Sequence, residues 1–151
     1  MLIEGKKIIV TGSASGMGEA TLKAYVQAGA NVVGMDLSDD TGSLICENAN
    51  NAGPGKCSYI NVDVSNKGSV LESFSKANEV LGGLDVLAHP AAIQRASDAS
   101  EVTEEDWDLM FAVNVKGTML TNQAAQTYMK LNGGGSIINF GSISGLRPEP
   151  S

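Results

Sequence analysis

The sequence predicts an α/β fold in which helices cover both faces of a doubly wound parallel sheet of five strands, in the order 3-2-1-4-5. Two observations lead to this fold class. Short apolar runs alternate along the chain with longer segments of helical periodicity. The apolar runs also lack the polar alternation of a sheet with one solvated face, so both of their faces must be covered. Right-handed crossovers between such strands then make the sheet parallel.

The predicted strands follow one another at regular intervals. They are the runs KKIIV, NVVGMD, KCSYINVDV, LDVLAH and GSIINFGS, at residues 6–10, 31–36, 56–64, 84–89 and 135–142. Between them, a first helix is expected to end near Gly29. Ser65 is expected to cap a helix over 66–81, which ends at Gly82.

The longest helical segment covers 103–131 and begins with VTEED. Thr103 is its expected N-cap, with Asp106 three residues further on. The acidic side chains of the first turn face the positive end of the helix dipole. We interpret them as a solvated helix start rather than as a patch that repels acidic substrates.

The composition is that of a single globular domain over residues 1–151, with 42% hydrophobic and 18% charged residues. A formal net charge of -7 argues against nucleic-acid binding, which relies on clustered basic residues. No apolar run approaches the roughly 18 residues of a membrane span, and the start of the chain lacks a signal-peptide pattern. We therefore expect a cytoplasmic protein without nucleic-acid or membrane partners.

Two cysteines and one histidine give little support to metal or dithiol chemistry. Cys46 and Cys57 are too far apart in sequence for a CxxC motif, and no spacing supplies four zinc ligands. We expect reduced, structural thiols and no metal site.

A glycine-rich loop, TGSASGMGEA, follows the first strand and opens the first helix. Gly12 permits the tight turn from strand to helix, Gly16 lets a pyrophosphate approach the backbone, and Gly18 lets the helix lie close to the sheet. The N-terminus of the helix offers free N–H groups to an anion. Glycines at this spacing are weak evidence alone, because any tight turn of this kind uses them.

An acid at the end of the second strand strengthens the prediction of a dinucleotide site. Asp36 lies about 20 residues past the loop, where a carboxylate accepts a hydrogen bond from the ribose 2′-hydroxyl and repels a 2′-phosphate. Neither Ser15 nor Leu37 supplies the basic side chain that a 2′-phosphate would require. The sequence thus predicts NAD in preference to NADP. Asp63, at the end of the third strand, either touches the adenine or caps the following loop.

These motifs together resemble the short-chain dehydrogenase/reductase family over the whole chain. TGSASGMG resembles its TGxxxGxG, Asp63-Val64 its adenine-side acid, NVKG at 114–117 its helix asparagine motif, and GSIINFGSISG its serine strand. The resemblance implies a Rossmann-like domain of an NAD(P)-dependent enzyme that acts on a small-molecule alcohol or carbonyl and forms a homo-oligomer. The cofactor-binding residues so implied are Gly12, Ser15, Gly16, Met17, Gly18, Asp36, Leu37, Asp63, Val64 and Ala91.

The resemblance also implies two catalytic residues of an Asn-Ser-Tyr-Lys tetrad, Asn114 and Ser142. Hydride transfer at a carbon requires a donor that holds the substrate oxygen and an acid/base that moves its proton. Ser142 fits the first role, a Tyr with a Lys beside it performs the second, and Asn114 helps to hold a relay water. Alternatively, Asn114 only satisfies a neighbouring carbonyl, while Gly117 allows close packing.

The chain departs from the family pattern after its fourth strand, where HPAA at 89–92 replaces NNAG. Pro90 removes a backbone donor, and Ala92 replaces a glycine that allows the chain to pass close to the cofactor. For His89 we expect a packing or hydrogen-bonding role rather than catalysis.

A second departure is that no YxxxK occurs in residues 1–151. The residues four positions after Tyr25, Tyr59 and Tyr128 are Gly29, Asp63 and Asn132. We therefore expect the N-terminal, cofactor-binding part of a longer enzyme, truncated at its C-terminus and inactive alone. One alternative is a catalytically silent NAD-binding or interaction module that is complete at this length. Another is a fragment too incomplete to fold, with apolar surface exposed on the fifth strand and the long helix.

Overall fold

The computed structural model describes residues 3–95, 98 and 100–147. Its strands form one parallel five-stranded sheet in the order β3-β2-β1-β4-β5, as predicted. The strands are β1 (Lys7–Thr11), β2 (Asn31–Asp36), β3 (Lys56–Asn61), β4 (Val86–His89) and β5 (Ser136–Asn139). The Rossmann-like topology is therefore confirmed.

Helices connect the strands and cover the sheet. They are α1 (Gly16–Gln27), α2 (Asp39–Ala52), α3 (Lys67–Leu81), α4 (Glu104–Met110), a π-helical segment (Phe111–Gly117) and α5 (Thr118–Leu131), and a short 3₁₀ turn (Ile143–Gly145) follows β5. The predicted single helix over 103–131 is thus a helical path whose central seven residues are π-helical. A π segment within an α-helix often marks a functional position.

Two predicted strands were too long at their carboxyl ends. β3 ends at Asn61 rather than at residue 64, because the chain turns where Ser65 N donates to the Asp63 carboxylate at 2.9 Å. β5 ends at Asn139 rather than at 142, because its last partner is His89 and Pro90, which follows, has no N–H to continue the ladder. β4 itself begins at 86 rather than at 84.

The helix caps were predicted in part. Asn66, not Ser65, caps α3, since its Oδ1 accepts from Ser69 N at 3.0 Å while Ser65 donates to Asp63. Thr103 caps α4 as expected, because its Oγ1 accepts from Asp106 N at 3.1 Å. Sequence identifies residues able to cap, but the turn before the helix selects among neighbours.

Apolar side chains on the two faces of the sheet form two separate cores. Ile8 and Val10 of β1 pack with α1 and α2, whereas Ile9, between them, packs with α3 and α5. Consecutive strand residues point to opposite faces, so this division shows that helices cover both sides. It confirms the doubly wound arrangement and holds the carboxyl ends of the strands at one edge.

Apolar side chains remain exposed beyond this core. On β5, Ile137 and Ile138 are 37% and 44% exposed. On the helical path, Trp107 stacks on Phe111 with ring centroids 4.7 Å apart, and both rings are about half exposed. The apolar surface expected for the fifth strand and the long helix is thus present, within an otherwise well-packed domain.

The α2–β3 contact provides a test of this packing. A Cβ on buried Gly42 would overlap the ring of Tyr59, so Gly42→Ala should lower the free energy of unfolding by about 1 to 3 kcal/mol, despite the better helix propensity of alanine. Gly68→Ala is the control, because a Cβ there meets only the Asn66 side chain, at 3.3 Å. Urea unfolding that showed equal stability for the two variants would contradict the packing described.

Candidate functional site

The glycine-rich loop lies at the carboxyl edge of the sheet, between the end of β1 and the start of α1. Gly12 has φ +60°, and a Cβ on it would lie 2.8 Å from Ala91 Cα, in the segment after β4. A Cβ on Gly18 would overlap the carbonyl oxygen of Gly12. Close packing therefore excludes side chains at both positions, as predicted for the turn and for the approach of helix to sheet.

Gly16 differs from these two glycines because it faces open space. It has φ +53°, and a Cβ there would meet nothing within 4 Å. Gly16 begins α1, whose N-cap, Ser15, makes no side-chain cap hydrogen bond, and Met17 is 61% exposed. The first-turn N–H groups of a helix have no intrahelical acceptor. The loop thus presents backbone donors and the positive end of a helix dipole to an anion.

Asp36 stands beside this loop, at the end of β2. Its Oδ2 accepts from Ala14 N at 3.0 Å, and its Oδ1 accepts from Ser38 N at 3.2 Å. The carboxylate therefore connects the loop to the β2–α2 turn, in which Leu37 is 66% exposed. A carboxylate has about four acceptor positions, so it can accept further hydrogen bonds from a ligand.

Asp63, after β3, closes a local turn. Its Oδ1 accepts from both Ser65 N, at 2.9 Å, and Ser65 Oγ, at 2.7 Å. This is the loop-capping role that the sequence left open as one of two roles for Asp63. Val64 is buried and lies against Gly117, where a Cβ would be 3.1 Å from Val64 Cγ2.

Asn114 lies within the π-helical segment and binds the backbone after β4. Its Oδ1 accepts from Ile93 N at 2.9 Å, and its Nδ2 donates to Ile93 O at 2.8 Å. Both polar groups of the amide are therefore used to hold the β4–α4 connection. Together with the close packing of Gly117, this is the structural role that the sequence offered as the alternative for Asn114.

Ser142 lies beyond β5 rather than at its end, as the N-cap of the 3₁₀ turn. It is exposed, and its Oγ accepts from Ser144 N at 3.1 Å. Its hydroxyl proton is thus available to a ligand at the carboxyl edge of the sheet. Ala91, on the adjacent connection after β4, lies against Gly12.

His89 is buried at the end of β4, and the structure confirms its predicted hydrogen-bonding role. Its Nδ1 lies 2.7 Å from Thr11 Oγ1 and 3.3 Å from Thr121 Oγ1, and both threonines are fully buried. Its Nε2 is buried without a hydrogen-bond partner among the described residues. Burial lowers the pKa of His89 from 6.5 to about 4, so the ring is neutral at neutral pH. The ring joins β1, β4 and α5 just below the glycine-rich loop.

The sequence and the fold of this chain are similar to those of known proteins. A protein-family model described as short chain dehydrogenase matches residues 6–151. The chain belongs to the short-chain dehydrogenase/reductase family. Members of this family are oxidoreductases that use nicotinamide cofactors and act on small-molecule substrates. This membership does not favour the alternative of a silent interaction module.

Individual members of the short-chain dehydrogenase/reductase family match almost the entire chain. The 3-oxoacyl-[acyl-carrier-protein] reductase FabG of Thermotoga maritima is 34% identical over 99% of this chain and 61% of its own length. Sorbitol dehydrogenase of Cereibacter sphaeroides is 35% identical over 99% of this chain and 57% of its own length. The crystal structure of gox2181 has a TM-score of 0.94 at 28% identity and covers 99% of this chain and 58% of that one. The chain thus spans about three fifths of these relatives.

The residues present fit a nicotinamide dinucleotide at two points. Gly16 leaves open the space that any other side chain would enter, and the backbone donors behind it suit a pyrophosphate. The Asp36 carboxylate, one hydrogen bond from Ala14 in the same loop, suits a ribose hydroxyl.

Some contacts that shape this site were missed from the sequence. The sequence around Tyr59 indicates only that this tyrosine does not start a YxxxK motif, yet its hydroxyl donates to Asp36 O at 2.7 Å. Ile93, the partner of Asn114, contributes only backbone atoms, which leave no signal in the sequence. One signal was present in the sequence: Tyr59 and Asn61 are two positions apart on β3, so their side chains lie on the same face of the sheet.

Within the described residues, no three His, Cys, Asp or Glu side chains come together as a metal site. In the same part of the chain, no helix combines the length and apolar character needed to cross a bilayer. Cys46 and Cys57 are both free and buried.

The buried imidazole predicts a pH-dependent stability. The pKa of His89 is about 4 in the folded chain against 6.5 as its ordinary value, so the unfolded state binds the extra proton between these pH values. The contribution of His89 to the free energy of unfolding is therefore fully present above pH 6.5 and is lost as the pH falls towards 4. Between pH 7 and 5, the free energy of unfolding should fall by about 2 kcal/mol more than that of His89→Asn. Parallel pH profiles of the two proteins in urea unfolding would contradict the buried, neutral imidazole.

Proposed function

We propose that this chain binds NAD and forms the cofactor-binding half of an oxidoreductase that transfers hydride between the cofactor and a secondary alcohol or carbonyl. One observation carries the proposal. A glycine-rich loop, with open space at Gly16 where α1 begins, lies one hydrogen bond, Ala14 N to Asp36 Oδ2 at 3.0 Å, from a carboxylate at the end of the next strand. That pairing suits an anion and a ribose hydroxyl held side by side.

The preference for NAD over NADP follows from charge. A 2′-phosphate near the Asp36 carboxylate would meet a like charge. Ser15 has no charge to compensate for it, and neither does the exposed side chain of Leu37. A 2′-hydroxyl, in contrast, donates to the carboxylate. We propose that Asp36 therefore selects NAD.

Ser142 is the residue proposed to hold the substrate oxygen. Its exposed hydroxyl accepts from Ser144 N and makes no other hydrogen bond to the residues that the structure describes, so its proton can be donated to an alcohol or carbonyl oxygen. The nicotinamide, when bound, supplies or accepts the hydride. Asn114 is proposed to position the β4–α4 connection through its two hydrogen bonds to Ile93. It is also proposed to hold a relay water, through the second N–H and the second lone pair of its amide, which these two bonds leave free.

Proton transfer is the step for which residues 1–151 supply no family motif, since no YxxxK occurs among them. We propose that these residues bind NAD without turning over an alcohol, and that Tyr and Lys from additional sequence complete the enzyme. The names of two relatives, a 3-oxoacyl reductase and a sorbitol dehydrogenase, support carbonyl and alcohol groups as the substrate class.

Replacement of Asp36 tests the cofactor assignment. Asp36→Ala should lower the NADH/NADPH affinity ratio at least about tenfold, because removal of the like charge favours the 2′-phosphate while a ribose acceptor is lost. Fluorescence titration with both reduced cofactors measures the ratio. Asp40→Ala, at an exposed acid in the first turn of α2, is the control and should leave the ratio unchanged. An unchanged ratio in Asp36→Ala would mean that Asp36 does not face the ribose.

A further inference from the structure

Two side chains of the edge strand β3 hold the turn that carries Asp36. Tyr59 Oη donates to the backbone oxygen of Asp36 at 2.7 Å. Asn61 Nδ2 donates to Leu37 O at 3.0 Å and to Asp39 Oδ1 at 2.8 Å. Three acceptors on consecutive parts of the β2–α2 turn are thus fixed by two residues of one strand. We refer to Tyr59 and Asn61 as the β3 clamp.

The clamp residues are themselves held in place. In the sheet, Tyr59 pairs with Gly34 and Asn61 with Asp36. The Tyr59 ring fills the space that Gly42 of α2 leaves, because a Cβ at Gly42 would overlap it. Burial, together with the nearby charges of Asp39 and Asp36, raises the pKa of Tyr59, so its hydroxyl remains a donor.

The Tyr59 bond is additional to the regular structure of the sheet. The backbone oxygen of Asp36 also accepts from Val62 N at 2.9 Å, so loss of the tyrosine hydroxyl leaves no buried acceptor unpaired. The bond fixes the peptide of Asp36 from the β3 side. Ala14 N and Ser38 N fix its carboxylate from the other side. The direction of the carboxylate is therefore set before any ligand binds.

We propose that Tyr59 and Asn61 are positioning residues that aim the Asp36 carboxylate at the 2′-hydroxyl of the adenosine ribose, and thereby determine how strongly the site selects that hydroxyl. This inference rests on the proposed function, because it assumes that the ligand is NAD. A preorganised acceptor binds its donor more tightly, since less freedom is lost on binding. Neither clamp residue needs to touch the cofactor.

The test combines a clamp variant with a cofactor that lacks the hydroxyl. Binding of NADH and of its analogue with 2′-deoxyadenosine is measured for the wild type and for Tyr59→Phe/Asn61→Ala. The wild type should prefer NADH. The clamp variant should lose about fivefold or more in NADH affinity, the size of one weakened hydrogen bond, and little in affinity for the analogue. Tyr25→Phe/Asn48→Ala, on α1 and the exposed side of α2, makes the same chemical changes elsewhere and should bind both ligands like the wild type.

The outcomes separate the inference from the proposed function. If the clamp variant keeps the wild-type preference for NADH, or loses affinity for both ligands equally, the positioning role is wrong while NAD binding stands. If the wild type binds neither ligand, or binds both equally, the assignment of Asp36 and with it this inference are wrong. Tyr59→Phe alone keeps the ring against Gly42, so it tests the bond to Asp36 if the double variant is unstable; it should show part of the same ligand-specific loss.

Discussion

The site depends on a steric constraint at the carboxyl edge of the sheet, where the backbone of one loop must pass very close to two neighbours. Gly12 lies against Ala91 and Gly18 against the carbonyl of Gly12, so neither position has room for a Cβ. This packing brings the start of α1 onto the sheet and leaves Gly16 facing open space. The N–H groups at the start of α1 are open to an anion at Gly16 because no side chain occupies the space in front of that residue.

Two other polar side chains near this edge, those of His89 and Asn114, connect neighbouring elements of the fold. His89 joins the strand before the loop to α5 through Thr11 and Thr121. The side-chain amide of Asn114 makes two hydrogen bonds to the backbone N–H and carbonyl of Ile93. Such hydrogen bonds between neighbouring elements stabilise the arrangement of the backbone around the site. What this arrangement leaves accessible is a helix N-terminus, the remaining acceptor positions of Asp36 and the hydroxyl of Ser142, and these are the groups that the proposed chemistry uses.

The sheet order and the glycine-rich loop were predictable because both depend on local patterns: apolar runs buried on two faces, and glycines at the spacing of a turn from strand to helix. The ends of the elements were less predictable. β5 ends where Pro90 ends its partner strand, so a contact distant in sequence sets this boundary. Asn66 caps α3 because Ser65 is hydrogen-bonded to Asp63, so a competing contact selects the capping residue. The π-helical geometry around Asn114 and the role of Tyr59 depend on tertiary packing, which no single segment of the sequence contains.

We propose that the loop at the start of α1 and the end of β2 together form one dinucleotide site. The most direct measurement is a map of backbone amide chemical-shift changes in the ¹⁵N-labelled protein on titration with NADH. We expect the largest changes at Gly12, Gly16 and Gly18 and around Asp36, with small changes at the amino edge of the sheet near Gly29 and Gly53. Changes centred away from the loop, or no changes at saturating NADH, would contradict it.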